Sequence, residues 1–141
     1  MFAKEKLIRF QHCDPAGIVF YPQYLILIHE LMEDWFNEGL GGNYADFVLA
    51  RKMGLPIVKL ECEFLAPSVM GNLLALQLEV AHIGSSSIVL EVHAGTAGRE
   101  CLHATLTVVH MSITEMKAMP IPEALRASIK GFQKPPSTHD A

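Results

Sequence analysis

The sequence is poor in charged residues and shows no excess of positive charge. Only 18% of the 141 residues are charged, and 15 acidic residues against 11 basic ones give a formal net charge of −4. Phosphate binding needs a basic face, so we expect no nucleic acid as a bulk partner. The chain also lacks an apolar run of about 18 residues and an apolar N-terminal core of signal-peptide length. We therefore expect no membrane association and a cytoplasmic location.

Cysteine is scarce as well. The three cysteines, Cys13, Cys62 and Cys101, are an odd number without C-x-x-C spacing. This pattern indicates neither a disulfide framework nor a zinc site, so we expect reduced thiols and no bound metal.

Apolar residues are abundant in comparison. Half of the chain is hydrophobic, which predicts a well-buried core with additional apolar surface to cover. We therefore expect a homo-oligomer, a dimer or a dimer of dimers. The length fits a single domain, predicted over residues 1–132. The polar, proline-rich residues 133–141 are expected to form a disordered tail.

The apolar residues have helical spacing in the first third of the chain. This spacing predicts a helix over residues 22–37, which stops before Gly39, and a short helix over residues 44–53. The first turn of the longer helix is apolar on every side. We therefore expect other elements to surround it.

Beyond Gly54 the apolar residues alternate with polar ones, which is typical of strands with one buried face. Four such segments are separated by short turns and predict an antiparallel meander, preceded by a short strand at residues 4–11. A last short helix is predicted from Pro122 to about Lys130. The predicted fold class is α+β, a long central helix wrapped by a curved antiparallel sheet of about five strands. The residues predicted to face the helix are Val58, Leu60, Cys62, Phe64, Leu74, Leu76, Leu78, Val80, Ile88, Leu90, Val92, Ala94, Leu102, Ala104, Leu106, Val108 and His110.

The loop before the long helix holds the residues with the clearest chemical potential. Pro22 is suited to the first helical position, so the free amides of the first turn are expected to point back at the loop that contains Asp14. These amides and the helix dipole favour an oxyanion, and a nearby carboxylate is a candidate nucleophile or general base. Gly17 is expected to allow a backbone conformation or a close approach that a side chain would forbid.

The run HCDPAGIVFYP, from His12 to Pro22, resembles the signature of the 4-hydroxybenzoyl-CoA thioesterase family of hotdog-fold acyl-CoA hydrolases. The order of predicted elements also fits that family over residues 4–113. The resemblance implies a hotdog fold and hydrolysis of an acyl-CoA thioester, expected to be hydroxybenzoyl-CoA or a related aromatic acyl-CoA. It implies no metal or organic cofactor.

The resemblance also assigns roles to single residues. Asp14 resembles the family's catalytic carboxylate, which attacks the thioester carbonyl or activates a water, and the backbone N–H of Tyr21 resembles the donor to the thioester oxygen. Gly17 resembles the glycine that lets the substrate approach the backbone. His29 occupies the position where benzoyl-type members have an acidic residue facing the acyl ring. Pro56 lies in a segment that resembles the entry to the family's second strand. The expected substrate-binding residues are His12, Gly17, His29 and Pro56.

Other interpretations of the same residues remain open. His12 could orient the acid or bind substrate, with packing as the alternative, and Cys13 beside it is more simply a small buried thiol than a nucleophile. The turn Gly84–Ser87 lacks the basic residues that often hold the CoA phosphates in the family. Lys59, Arg99 or basic residues of a neighbouring subunit are the candidates instead.

Three further functions are compatible with the sequence. One is a thioesterase for short- or medium-chain fatty acyl-CoA. Another is a dehydratase or hydratase on the same scaffold, with His12 as its only candidate catalytic histidine. The third is a non-catalytic module that binds acyl-CoA or an acyl-carrier protein.

Overall fold

The computed structural model describes residues 1–135. Three α-helices are present in this range: α1 (Tyr21–Asp34), α2 (Tyr44–Leu49) and α3 (Glu123–Lys130). A short 3-10 turn (Phe10–His12) precedes the Asp14 loop, and a π-helical segment (Trp35–Gly39) extends α1. The strands are β1 (Phe2–Leu7), β2 (Met53–Gly54), β3 (Ile57–Phe64), β4 (Leu73–Ile83), β5 (Ser87–Thr96), β6 (Arg99–Val109), β7 (Met111–Ser112) and β8 (Lys117–Ala118).

The main sheet has five antiparallel strands in the order β1-β4-β5-β6-β3. The predicted α+β class and the five-stranded sheet are confirmed. The predicted four-strand meander is wrong in one respect, since β3 pairs with β6 at the sheet edge and leaves β4 to pair with β1. Only β4, β5 and β6 form a meander. Strands β2, β7 and β8 form a small second sheet.

The core lies between the main sheet and α1. The predicted inward residues of β4, β5 and β6, and His110 directly after β6, are all buried, as the alternation indicated. They pack with residues of α1 and its π-helical extension, among them Leu27, Leu31 and Trp35. No helix within residues 1–135 is both long enough and apolar enough to span a membrane.

Strand β3 departs from the predicted burial. Leu60, Cys62 and Phe64 face the same side as the buried residues of β6, but Val58 and Phe64 are 61% and 48% exposed. Val58 falls in the register shift between Ile57 and Lys59, so a β-bulge takes it out of the alternation, and Phe64 lies at the end of an edge strand with only β6 beside it. The second edge of β3 is a row of backbone groups without a strand partner in the described chain.

Helix α1 is also less enclosed than predicted. Tyr24, Leu27 and Ile28 are buried, whereas Tyr21 and Ile26 are 60% and 48% exposed. The sheet covers only one side of the helix, so the expectation of a first turn surrounded on all sides is wrong for the single chain. Exposed apolar residues therefore remain on α1 and on β3.

Several predicted boundaries shift by a few residues. The first strand ends at Leu7, and α2 stops at Leu49, so that Met53 forms a strand rather than a helix end. The predicted tail at 133–141 lies mostly outside the described residues. Within the described part, Val80 N–H donates to Phe132 O and Lys134 N–H donates to Val80 O, both at 2.9 Å, so the chain is fixed to β4 here.

Candidate active site

Asp14 lies at the base of a tight loop that leads into α1. Cys13 and Val19 form an isolated antiparallel bridge, and Asp14 N–H donates to Ile18 O at 3.0 Å. The side chain bends back over the loop, where its Oδ1 accepts the N–H of Ala16 at 2.8 Å. Asp14 is half-buried, and its Oδ2 accepts no hydrogen bond from residues 1–135. One carboxylate oxygen therefore stabilises the loop and the other is available to a ligand.

Gly17 provides the backbone conformation that the loop needs. Its φ of +80° lies in the left-handed region, which L-residues with a side chain rarely adopt. A Cβ at this position would meet no atom within 4 Å. The glycine is thus required by backbone geometry, and the space beside it is open to a ligand.

Helix α1 begins at Tyr21, one residue earlier than predicted, so Pro22 takes the second helical position. Phe20 precedes the helix, and no described side chain caps it. The N–H of Tyr21 has no intrahelical partner at this position, and no acceptor for it lies elsewhere in residues 1–135. The helix start therefore presents an unpaired donor and the positive end of the helix dipole.

The Asp14 loop is held in place by residues that the sequence interpretation overlooked. Val19 N–H donates to Ser68 O, and Met70 N–H donates to Gly17 O, both at 2.9 Å. The segment between β3 and β4 thus lies against the loop through backbone hydrogen bonds. No local signal marks it in the sequence, because its partners are about fifty residues away in the chain.

A buried side-chain pair joins the same segment to α1. Tyr24 O–H donates to Ser68 Oγ at 2.7 Å, and Ser68 is fully buried. Burial raises the pKa of Tyr24 above its ordinary value, because the phenolate would lose its hydration. The neutral phenol therefore serves as a fixed hydrogen-bond donor at the start of the helix.

His12 packs under the loop instead of lining its surface. It is 6% exposed, its Nδ1 accepts Arg9 N–H at 2.9 Å, and its carbonyl accepts Phe20 N–H at the same distance. This geometry favours the packing alternative, since the buried ring binds the backbone of Arg9, while the carbonyl of His12 bonds to the entry of α1. The Cys13 thiol donates to Arg9 O at 3.5 Å and forms no hydrogen bond with the imidazole.

His29 and Pro56 lie together in an apolar groove of about 530 Å³ between α1, α2 and the small sheet. Asp14 and Tyr21 do not line this groove. Strand β3 connects the two regions, since Ile57 lines the groove and the ring of Phe64 lies 6.1 Å from that of Tyr21. Strand β3 therefore runs from the groove at Ile57 to the helix start near Phe64.

The backbone carbonyls of the turn after β4 accept hydrogen bonds from other parts of the chain. Arg126 donates to the carbonyls of Gly84 and Ser85 at 3.0 Å, and His110 N–H donates to Ser86 O at 2.7 Å. Lys59 pairs with Glu61 on the outer face of the sheet. Arg99 instead starts β6, at the sheet end near the β3–β4 segment.

A long helix packed on a five-stranded antiparallel sheet, with an acid in the loop at the helix start, is the architecture of the hotdog-fold thioesterases. The chain belongs to the thioesterase-like superfamily, whose sequence model matches residues 8–129. The family resemblance inferred from the loop motif is thereby confirmed.

Individual relatives agree with this assignment. The chain is 28% identical over 123 residues to a 1,4-dihydroxy-2-naphthoyl-CoA hydrolase of Acaryochloris marina. The alignment covers 85% of this chain and 89% of that protein. The chain is similar in structure to a gentisyl-coenzyme A thioesterase, with a TM-score of 0.81 and 26% identity. The superposition covers 91% of this chain and 99% of that protein. A thioesterase superfamily member from Jannaschia sp. CCS1 gives a TM-score of 0.87 at 25% identity, with coverage of 95% and 94%.

Proposed function

We propose that this protein hydrolyses an aromatic acyl-CoA thioester to the free acid and CoA, within a single domain over residues 1–132. The observation that supports this most directly is the loop geometry around Asp14. A carboxylate with one unoccupied oxygen precedes a helix start whose first N–H, that of Tyr21, has no partner in the described chain. A nucleophile or base and a preorganised oxyanion donor are the two groups that thioester hydrolysis requires.

Two routes are compatible with this arrangement. In the first, a carboxylate oxygen of Asp14 adds to the thioester carbonyl, the C–S bond breaks, CoA leaves as the thiolate, and water hydrolyses the resulting anhydride. In the second, Asp14 takes a proton from a water that attacks the carbonyl, the C–S bond then breaks, and CoA leaves as the thiol with the proton that Asp14 took up. In both routes Tyr21 N–H donates to the carbonyl oxygen as negative charge develops there. Single-turnover hydrolysis in heavy-oxygen water separates them, because attack by Asp14 places a protein oxygen in the first product when water then opens the anhydride at the Asp14 carbonyl.

The groove that contains His29 and Pro56 is proposed to hold the acyl group. Its walls are apolar, and His29 is the only titratable side chain among the described residues that line it besides Tyr44. An imidazole can donate to or accept from a ring hydroxyl. The two relatives with named substrates act on hydroxylated aromatic acyl-CoAs, which fits such a groove. Hydroxybenzoyl-CoA is the smallest substrate of this class.

A second copy of the chain is proposed to complete the site. Strand β3 has an unpaired edge, and the apolar side chains of Val58, Phe64 and Tyr21 beside it are about half exposed or more. Antiparallel pairing of two β3 edges would satisfy the backbone groups and cover these side chains. The proposed assembly is a dimer or a dimer of dimers, with active sites where subunits meet.

For the other end of the substrate, we propose Arg99 as a contact for the CoA phosphates. It forms no ion pair with a carboxylate of residues 1–135, unlike Lys59. The three thiols are free, which supports the proposal of a reducing, cytoplasmic location.

The activity test measures CoA release with a thiol reagent across a matched panel of thioesters. Hydroxybenzoyl-CoA, benzoyl-CoA and dihydroxynaphthoyl-CoA are compared with butyryl-, octanoyl- and crotonyl-CoA. The proposal predicts the highest kcat/KM for a hydroxylated aromatic thioester. Faster hydrolysis of the aliphatic substrates, hydration of crotonyl-CoA without thiol release, or CoA binding without any turnover would overturn it.

A further inference from the structure

The proposed acyl groove has two polar side chains in walls that are otherwise apolar. His29 belongs to α1 and Tyr44 to α2, and every other described residue that lines the groove is apolar or glycine. The proposed function uses only His29. The Tyr44 hydroxyl forms no hydrogen bond with residues 1–135, and it is not fully buried. This hydroxyl is therefore open to a ligand.

The ring of Tyr44 is held in place by its neighbours. It packs edge-on against Phe36, with the ring centroids 5.2 Å apart and an angle of 83°, and against Phe47 at 6.0 Å and 80°. Its backbone N–H donates to Asn37 Oδ1 at 2.7 Å, which joins the start of α2 to the π-helical extension of α1. A side chain that is already fixed loses little conformational entropy when a ligand binds to it.

The hydroxyl of Tyr44 lies towards the face of α1 that carries His29. Burial raises the pKa of Tyr44, and the negative charge of Glu33 raises it further. Glu33 also lines a neighbouring cavity together with Tyr44, and it follows His29 by four residues, so these two side chains share one face of α1. The phenol therefore stays neutral and is able to donate a hydrogen bond on the same side of the groove as the imidazole.

We infer, on the basis of the proposed function, that Tyr44 is a specificity-determining residue whose hydroxyl binds a second polar substituent of the acyl ring. His29 contacts one ring hydroxyl and Tyr44 contacts another, each from its own helix. An acyl ring with a single hydroxyl leaves one of the two side chains without a partner after water is displaced. The groove therefore selects a dihydroxylated aromatic acyl group over a monohydroxylated one.

Phenacyl-CoA thioethers test this selectivity without turnover. A methylene group separates their carbonyl from the sulfur, so they contain no thioester to hydrolyse. The isomers of dihydroxyphenacyl-CoA, the monohydroxy compounds and unsubstituted phenacyl-CoA are titrated by calorimetry into the full-length protein. We expect the best dihydroxy isomer to bind the wild type about five- to tenfold more tightly than either monohydroxy compound derived from it, the effect of one hydrogen bond.

Tyr44→Phe removes only the hydroxyl, so the packing of the ring is kept. This variant should bind the best dihydroxy isomer no more tightly than the better of its monohydroxy counterparts, and should bind unsubstituted phenacyl-CoA as the wild type does. Tyr24→Phe is the matched control, because it removes the hydroxyl of a tyrosine that does not line the groove, and it should keep the wild-type ratio.

The outcomes separate this inference from the proposed function. Equal binding of the dihydroxy and monohydroxy compounds by the wild type, or the same preference in Tyr44→Phe as in the wild type, would overturn the role of Tyr44 while CoA release from aromatic thioesters persists. Absence of binding of every phenacyl compound would show that the groove does not hold the acyl group. The role of Tyr44 and the proposed acyl site would then both be wrong.

Discussion

The hydroxyl of Tyr24 donates to Ser68 Oγ at 2.7 Å, and this single bond joins the start of α1 to the segment that holds the Asp14 loop. Ser68 also accepts Val19 N–H through its carbonyl. The helix start and the loop are therefore fixed to the same residue. Their relative position, on which the proposed chemistry depends, is set by buried hydrogen bonds.

Tyr24→Phe should remove that bond without changing the shape of the side chain. We expect a loss of about 0.5–1.5 kcal/mol in the free energy of unfolding, measured by urea denaturation. Tyr44→Phe is the matched control, because the Tyr44 hydroxyl forms no hydrogen bond within residues 1–135. Equal losses in the two variants would contradict a stabilising role for the Tyr24–Ser68 pair.

The same tyrosine predicts sensitivity to alkaline pH. Burial raises the folded-state pKa of Tyr24, so the unfolded chain releases this proton at lower pH, near the ordinary tyrosine value of about 10. The contribution to stability is complete below that pH and is lost as the pH rises through the higher folded-state pKa. Urea denaturation at about pH 9 and about pH 11 should therefore show a smaller decrease in stability for Tyr24→Phe than for the wild type. Parallel decreases would exclude Tyr24 as a source of the pH dependence.

Gly17→Ala tests the backbone of the Asp14 loop. A side chain in the left-handed region costs about 1–2 kcal/mol, and relief of that strain would move Asp14. We expect lower stability together with lower turnover. Gly41→Ala provides the control, since Gly41 has a φ of +69° and equally open surroundings but follows the π-helical segment, away from the loop. Loss of turnover in both variants would indicate a general effect of strain.

Local patterns predicted those parts of the molecule that depend on near neighbours in the chain. Alternation correctly identified the buried faces of β4 to β6. The loop motif predicted roles for Asp14 and Tyr21, which stay predictions. The same alternation predicted too much burial for β3, because it does not reveal whether a strand lies at the centre or the edge of a sheet. The Tyr24–Ser68 pair spans 44 residues, and no local rule links two such positions.

Val58→Asp tests the proposed subunit interface. Val58 is 61% exposed on β3, so the change should leave the single chain folded, but it places a charge on the proposed dimer surface. We expect a shift from dimer to monomer in light scattering after gel filtration, with a loss of turnover. Leu49→Asp makes the same kind of change on an equally exposed residue of α2 and should leave the mass unchanged. A Val58→Asp dimer with full activity would contradict this interface.

His29→Leu tests the acyl groove. If the imidazole contacts a ring hydroxyl, the variant should lose up to about tenfold in kcat/KM for hydroxybenzoyl-CoA and little for benzoyl-CoA. The ratio of the two substrates is the readout, because a general packing defect lowers both values. An unchanged ratio would show that His29 does not discriminate between the acyl groups.

The role of Asp14 is tested most directly by CoA release from the Asp14→Asn variant. Asparagine retains an Oδ1 that can accept Ala16 N–H, so the loop hydrogen bond survives and only the negative charge and basicity are removed. With an unchanged circular dichroism spectrum and oligomeric mass, the variant is expected to lose at least about a hundredfold in kcat on the best aromatic acyl-CoA. Turnover at the wild-type rate by this folded variant would contradict the assignment of Asp14 as the reacting acid.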